Sequence, residues 1–219
     1  FDEAMIRTVI NEQCLQYNVE AVDGTLTRED GEFKFVAGQT GVEIDVDASV
    51  KMIQEYMTNE WDKEETMIDL VAETTQPRGT EEELLMVKDV LGSFTTSFST
   101  SGYNRSGNVR NGCSKIDGTL LYPGDTFSTY EAVSPFTEAN GYFEAGSYLN
   151  GLVIDSLGGG ICQVSTTLYN AVLLAELEVT ERFNHSMIVT YVDPSADAAI
   201  SGTVKDFKFV NNLSYPIYI

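Results

Sequence analysis

The stretch Gly158-Gly159-Gly160-Ile161-Cys162-Gln163-Val164-Ser165-Thr166-Thr167-Leu168-Tyr169-Asn170-Ala171-Val172-Leu173-Leu174-Ala175-Glu176 decides how the second half of this chain folds. Three glycines permit backbone turns closed to other residues, and an apolar-periodic segment follows directly. Val164, Leu168, Ala171, Val172 and Ala175 fall at i, i+4, i+7, i+8 and i+11, which predicts a helix with one buried face entered through a tight turn. Cys162 then stands in the first helical turn, where free N–H groups and the positive end of the helix dipole favour a thiolate. That makes Cys162 a candidate nucleophile. Gly159 and Gly160 would let a substrate carbonyl approach the backbone, with those N–H groups or Gln163 as oxyanion donors. Ser165, on the same turn, joins them as a substrate-binding candidate. A phosphate cradle is a poor alternative, because no lysine follows the glycines in the required pattern.

A thiolate nucleophile needs a base, and His185, the only histidine, lies 23 residues downstream of Cys162. It is expected to open a strand over Ser186–Val192. A second strand, Thr203–Val210, carries Asp206, the candidate that would orient the imidazole. Asp193 and Asp197, in the connection between the two strands, are rival third members. Cys, His and Asp on a helix and two following strands is the layout of papain-like and transglutaminase-like thiol enzymes. Arg182 suits a substrate carboxylate through a bidentate pair, and equally suits a helix cap or an ion pair. In the competing reading, Cys162 is a small buried apolar residue and His185 a hydrogen-bonded structural one.

Working outward, the 219 residues carry 34 acids against 13 basic residues, a formal net charge of −21. The acids concentrate in residues 1–95, which hold 22 of them with 7 bases. So acidic a chain lacks the Lys/Arg footprint of a nucleic-acid binder, and it does not suit an anionic membrane surface. With 42% hydrophobic and 11% aromatic residues it can bury a real core. No apolar run approaches the roughly 20 residues that span a bilayer. The chain starts at Phe1 rather than Met, so it reads as a fragment whose natural N-terminus is missing, which leaves room for a removed signal peptide or membrane anchor. Three cysteines and one histidine support neither a disulfide scaffold nor a structural zinc site, and no metal or cofactor is expected.

The acidic half reads as an α+β module. Helices are expected over Ala4–Tyr17, over Val46–Glu60 with Asp47 as N-cap, and over Glu81–Leu91 behind Thr80. Strands are expected over Asn18–Thr27, Glu32–Ala37 and Glu64–Thr74, with a turn at Arg28-Glu29-Asp30-Gly31. From Phe94 the composition shifts to Ser, Thr, Gly, Asn and Tyr, which places a boundary between domains 1–92 and 93–219. The second is expected to be α+β as well, its glycine turn leading into a central helix packed on an antiparallel sheet. Tyr122-Pro123-Gly124-Asp125 is strong turn chemistry ahead of an extended Phe127–Tyr130.

Residues 96–219 resemble the VanW family, named for an accessory protein of vancomycin-resistance clusters. The resemblance is carried by Gly118-Thr119, Tyr122-Pro123-Gly124-Asp125-Thr126-Phe127-Ser128 and the whole Gly158–Ala171 stretch. Glu181-Arg182, His185-Ser186, Asp197-Ala198, Asp206-Phe207-Lys208-Phe209, Asn211-Asn212 and Pro216-Ile217 extend it. Residues 1–92 resemble, more weakly, the peptidoglycan-binding domain that commonly precedes it, through Gly41-Val42, Ile44-Asp45 and the Pro77–Thr80 region. The resemblance implies an extracellular, membrane-anchored envelope protein of a Gram-positive bacterium, with peptidoglycan or its stem peptide as partner. The Cys–His–Asp assignment comes from the residues and not from the resemblance. Together they predict a thiol-dependent hydrolase, transpeptidase or amidase of wall stem peptides, or else a non-catalytic wall-binding or scaffolding module linked to glycopeptide resistance.

Overall fold

The computed structural model describes residues 2–149, 152–202 and 204–219. The chain forms two compact units, Phe1–Leu85 and Met86–Ile219, both mixed α+β and built around small antiparallel sheets.

The first unit opens with α1 (Glu3–Val9), capped by the Asp2 carboxylate on the Ala4 N–H at 2.9 Å. The helix widens over Ile10–Cys14 and tightens over Leu15–Tyr17, so the helical reading of this segment holds in three forms. Strands β1 (Thr25–Glu29) and β2 (Glu32–Val36) pair as a hairpin. Asp30 and Gly31 both take positive φ between them, the conformation that matches the twist of a two-residue hairpin turn. Residues 18–24, expected as strand, make only isolated bridges at Val19 and Val22. β3 (Gly41–Ile44) leads into α2 (Val46–Asn59). The cap of α2 is Asp45, on the Ala48 N–H at 2.9 Å; Asp47 instead lies in the first turn, where its charge suits the dipole. Val50 on its inner face is buried. The long strand expected over Glu64–Thr74 shrinks to β4 (Ala72–Thr75), paired with β3. Met67 is 95% exposed, because its alternating neighbours have no partner strand to pack upon. Trp61 donates its indole N–H to Glu64 O at 2.8 Å. Thr80 caps α3 (Glu81–Leu84) through the Glu83 N–H as expected, but the helix stops at Leu84 and does not reach Leu91.

The second unit begins with irregular chain and α4 (Tyr103–Ile116), then β5 (Leu120–Leu121), β6 (Thr126–Ser128) and α5 (Thr129–Val133). A hairpin of β7 (Glu144–Leu149) and β8 (Leu152–Leu157) delivers the chain to the glycine turn and α6 (Cys162–Leu174). β9 (Glu178–Glu181), β10 (Lys208–Val210) and β11 (Ile217–Tyr218) complete it. β10 runs antiparallel between β6 and β9, while β11 pairs with β5. The helix expected after the glycines is thus present, and it packs on a small antiparallel sheet. Val164, Leu168 and Val172 bury its inner face in one cluster with Val109, Phe127, Phe207 and Phe209. Each such side chain contributes about 1.5–3 kcal/mol by leaving water. Tyr169 meets Phe207 edge-on at 5.4 Å, and Phe207 stacks on Phe209 at 5.7 Å. The strand expected over Ser186–Val192 does not form: that segment is irregular, and Asp206 lies just ahead of β10. Thr203, the expected start of the second strand, lies outside the described residues.

Candidate functional site

The glycine turn is built for packing. Gly158 and Gly160 take φ of +83° and +101°, a region that side chains rarely enter. Gly159 lies so close to β7 that a Cβ would stand 2.1 Å from Ala145 O. The N–H groups of Gly158, Gly159 and Ile161 are donated to Phe143 O, Ser156 O and Gly158 O, and Gln163 N to Gly160 O. Asn108 of α4, fully buried, fastens the turn from below. Its amide nitrogen donates to Phe143 O and Gly159 O at 2.9 Å each, and its oxygen accepts the Phe143 N–H.

The side chains at the helix start are equally committed. Gln163 is 2% exposed and accepts a hydrogen bond from Arg105 Nη2 at 2.8 Å. Its two amide hydrogens go to Thr96 Oγ1 and Ser97 O, both at 3.0 Å. Ser165 donates to Ala198 O at 2.6 Å, and Thr166 Oγ1 accepts the Ala198 N–H. Cys162 Sγ donates to Ile200 O at 3.4 Å. Burial pushes the Cys162 thiol up from its ordinary pKa and outweighs the nearby Lys205 cation. The irregular 186–192 segment brings Tyr191 against Thr166, and burial pushes that phenol up too. No hydrogen bond joins Cys162 to His185.

His185 belongs to a second group of residues. Its Nδ1 lies 2.6 Å from Asp197 Oδ2, which also accepts the His185 backbone N–H at 2.6 Å. Arg182, leaving β9, donates Nε to Asp197 O and Nη2 to Ser195 O and Asp197 Oδ1. Its guanidinium also lies over the Tyr169 ring, 5.3 Å from the centroid. Burial acts to raise the Asp197 pKa, but the hydrogen bonds and charge from His185 prevail and hold it below the ordinary value. Tyr148 of β7 meets the His185 ring edge-on at 6.2 Å. A cleft of about 450 Å³ opens here, lined by His185, Arg182, Asp193, Asp197 and the apolar Ile188 and Pro194 among others.

Asp206 is not brought to His185. Its oxygens accept from Ser128 Oγ at 2.5 Å, from Tyr130 N at 2.8 Å and from Phe207 N at 2.7 Å, tying the start of α5 to β10. Of the three acids weighed from sequence, Asp197 is the one on the imidazole. Asn108 and Arg105 escaped the sequence reading. Their signal is a helix poor in apolar residues, Tyr103-Asn104-Arg105-Ser106-Gly107-Asn108, whose inward face must therefore be polar. Cys14, Cys113 and Cys162 are free thiols. Among the described residues, no group of three or more His, Cys, Asp or Glu is placed to hold a metal ion, and no helix is long and apolar enough to cross a membrane.

This glycine turn, its helix and the His185 loop lie within residues 104–219, which match the family model described as "VanW like protein". That match covers more than half of the sequence, and the chain belongs to this family. Residues 1–70 match a second model, described as "Putative peptidoglycan binding domain". The chain is 40% identical over 129 residues to the Bacillus subtilis protein called "Uncharacterized protein YoaR", covering 59% of this chain and 43% of that one. It is 27% identical over 124 residues to the Enterococcus faecalis "Vancomycin B-type resistance protein VanW", covering 53% of this chain and 45% of that one. The chain thus spans less than half the length of either relative. No solved structure matches.

Proposed function

We propose that this chain is part of an envelope protein that engages peptidoglycan at the outer face of the cell, and that its VanW-like unit grips a wall stem peptide in the His185 cleft. It does so as a recognition module. The observation that carries this reading is the state of the thiol. Cys162 donates to Ile200 O, its pKa is raised by burial, and His185 is bonded to Asp197 and not to the sulfur. A nucleophilic cysteine works as a thiolate bonded to its base, and here the raised thiol bonds Ile200 O while the imidazole bonds Asp197, which supports recognition over catalysis. A concave site with an apolar wall and a few fixed polar groups is the usual form of a small-ligand pocket. The peptidoglycan-binding match over residues 1–70 supports the wall as partner, and the name of the enterococcal relative supports a setting of glycopeptide resistance.

One observation favours a second reading, a thiol hydrolase, amidase or transpeptidase of papain-like or transglutaminase-like design. His185 already carries an orienting carboxylate on Nδ1, through Asp197 and not Asp206. Alkylation separates the two. Native chain treated with iodoacetamide at pH 7.5, with labelled sites mapped by peptide mass spectrometry, is expected to modify the exposed Cys113 and spare Cys162 until unfolding. Sedimentation with purified sacculi is expected to carry down the wild type and Cys162→Ala alike. Rapid labelling of Cys162, together with stem-peptide cleavage that Cys162→Ser abolishes, would overturn the recognition reading in favour of the enzyme.

A further inference from the structure

The His185 cleft offers acceptors where a ligand would need to be met. Asp197 Oδ2 takes both the ring Nδ1 and the His185 backbone N–H, and a carboxylate can only accept, so Nδ1 bears the ring hydrogen. Whenever the ring is neutral its lone pair therefore stands on Nε2. The His185 side chain is only 7% exposed. Among the described residues Nε2 nevertheless has no hydrogen-bond partner, and it is not among the fully enclosed unpartnered side-chain atoms, of which Thr129 Oγ1 is the only one there. His185 lines the cleft. On the rim, Asp193 is exposed and makes no ion pair.

The strongest donors of the lining are turned to the protein. Arg182 Nε and Nη2 are held by Ser195 and Asp197, and Asn184 Nδ2 by His185 O. Arg182 and Asp197 also pair across 3.2 Å, and Lys205, which is not part of the lining, donates Nζ to Asn184 O; Asp193 is the lining carboxylate that makes no ion pair among the described residues. Met187, Ile188, Val189 and Pro194 give the lining an apolar stretch, beside Ser186 and Ser195. A bare ring nitrogen and a carboxylate beside an apolar wall complement a head group that only donates, carried on an aliphatic stem.

Resting on the wall-recognition reading, we propose that this cleft binds a primary aliphatic ammonium, the side-chain amine of the diamino acid in a wall stem peptide. His185 Nε2 and the Asp193 carboxylate receive its hydrogens, and the aliphatic wall takes its methylenes. Arg182 positions the Asp197–His185 pair and does not clamp a ligand carboxylate.

The test is calorimetric titration of the full chain at pH 8 with a synthetic stem pentapeptide containing lysine, with its Nε-acetyl form, and with D-alanine methyl ester. Acetylation is expected to weaken binding tenfold or more. Asp193→Asn should bring the free-amine peptide down to the level of the acetylated one, whereas Glu138→Gln, in the short helical turn Glu138–Asn140 and not among the residues lining the cleft, should not. The ¹⁵N resonance of Nε2, unique because the chain has one histidine, should move on adding the free-amine peptide and stay with the acetylated one. Equal affinity for the two peptides, or an Asp193→Asn variant that binds as wild type, overturns the assignment. If D-alanine methyl ester binds as tightly as the pentapeptide, the amine belongs to an esterified wall polymer and the stem-peptide assignment fails. If sacculi bind but acetylation changes nothing, the amine proposal falls and wall recognition stands; if neither sacculi nor peptides bind, both fall.

Discussion

The glycine turn ahead of α6 and the loop from Arg182 to Asp197 lie in one unit, and they handle polar atoms in opposite ways. At the turn, Gln163, Ser165 and Asn108 are buried with their hydrogen-bonding groups matched inside the protein. In the loop, His185 Nδ1 and Arg182 are matched to Asp197, while His185 and Asp193 line a cleft, Asp193 with no ion pair among the described residues. A dense cluster of chemically suggestive residues is therefore as good a sign of a keystone as of a site. What distinguishes a site is capacity left over after the fold has taken its share.

That contrast can be broken at several strengths. Gly159→Ala should have the largest effect: its Cβ would meet Ala145 O at 2.1 Å and Ala145 C at 2.4 Å, backbone atoms that cannot rotate away. A loss of about 4 kcal/mol or more is expected, seen as failure of the second unit to fold or a large fall in its urea midpoint. Gln163→Leu keeps the volume but strands Arg105 Nη2 and Ser97 O, for an expected loss of about 3 kcal/mol in the same measurement. Asp197→Asn should cost about 2 kcal/mol at pH 7, since it weakens charge-assisted bonds to His185 and Arg182. Its pH dependence has a definite sign. The Asp197 pKa is depressed in the folded state, so its contribution is complete above the unfolded value of about 3.9 and fades as pH falls through the lower folded value. Wild type should therefore lose more stability than Asp197→Asn on acidification from pH 5 to pH 3. The smallest effect belongs to Gly124→Ala, where a Cβ meets nothing but φ is +85°: about 1 kcal/mol, which separates backbone strain from the collision at Gly159.

The two helices with strong apolar periodicity, α2 and α6, could be read from sequence because a buried face imposes spacing that no other structure satisfies. The hairpin turn at Asp30-Gly31 was legible for a similar reason, as few residues accept positive φ. Glu64–Thr74 misled because alternation around Met67, Asp69 and Val71 is only a local condition, and a strand also needs a partner, which β3 supplies over Ala72–Thr75 alone. Within the site, Cys162 at the helix start and His185 after β9 were visible. Whether their polar ends meet depends on Ile200 and Asp197, distant in sequence and brought close by the fold. Asp206 was visible as a carboxylate on an expected strand, yet its neighbours Phe207 and Phe209 are core, and its oxygens take Ser128 Oγ and two backbone N–H groups.

The placement of two singular side chains has a practical result. Trp61, the only tryptophan, belongs to the acidic first unit, with its indole N–H on Glu64 O. Indole emission excited at the red edge of its band, where tyrosine does not absorb, therefore reports that unit by its own local environment. During titration with solubilised wall fragments, a change in emission localised to Trp61, set beside the response of the cleft's imidazole, divides the binding signal between the two halves without a dye or a label.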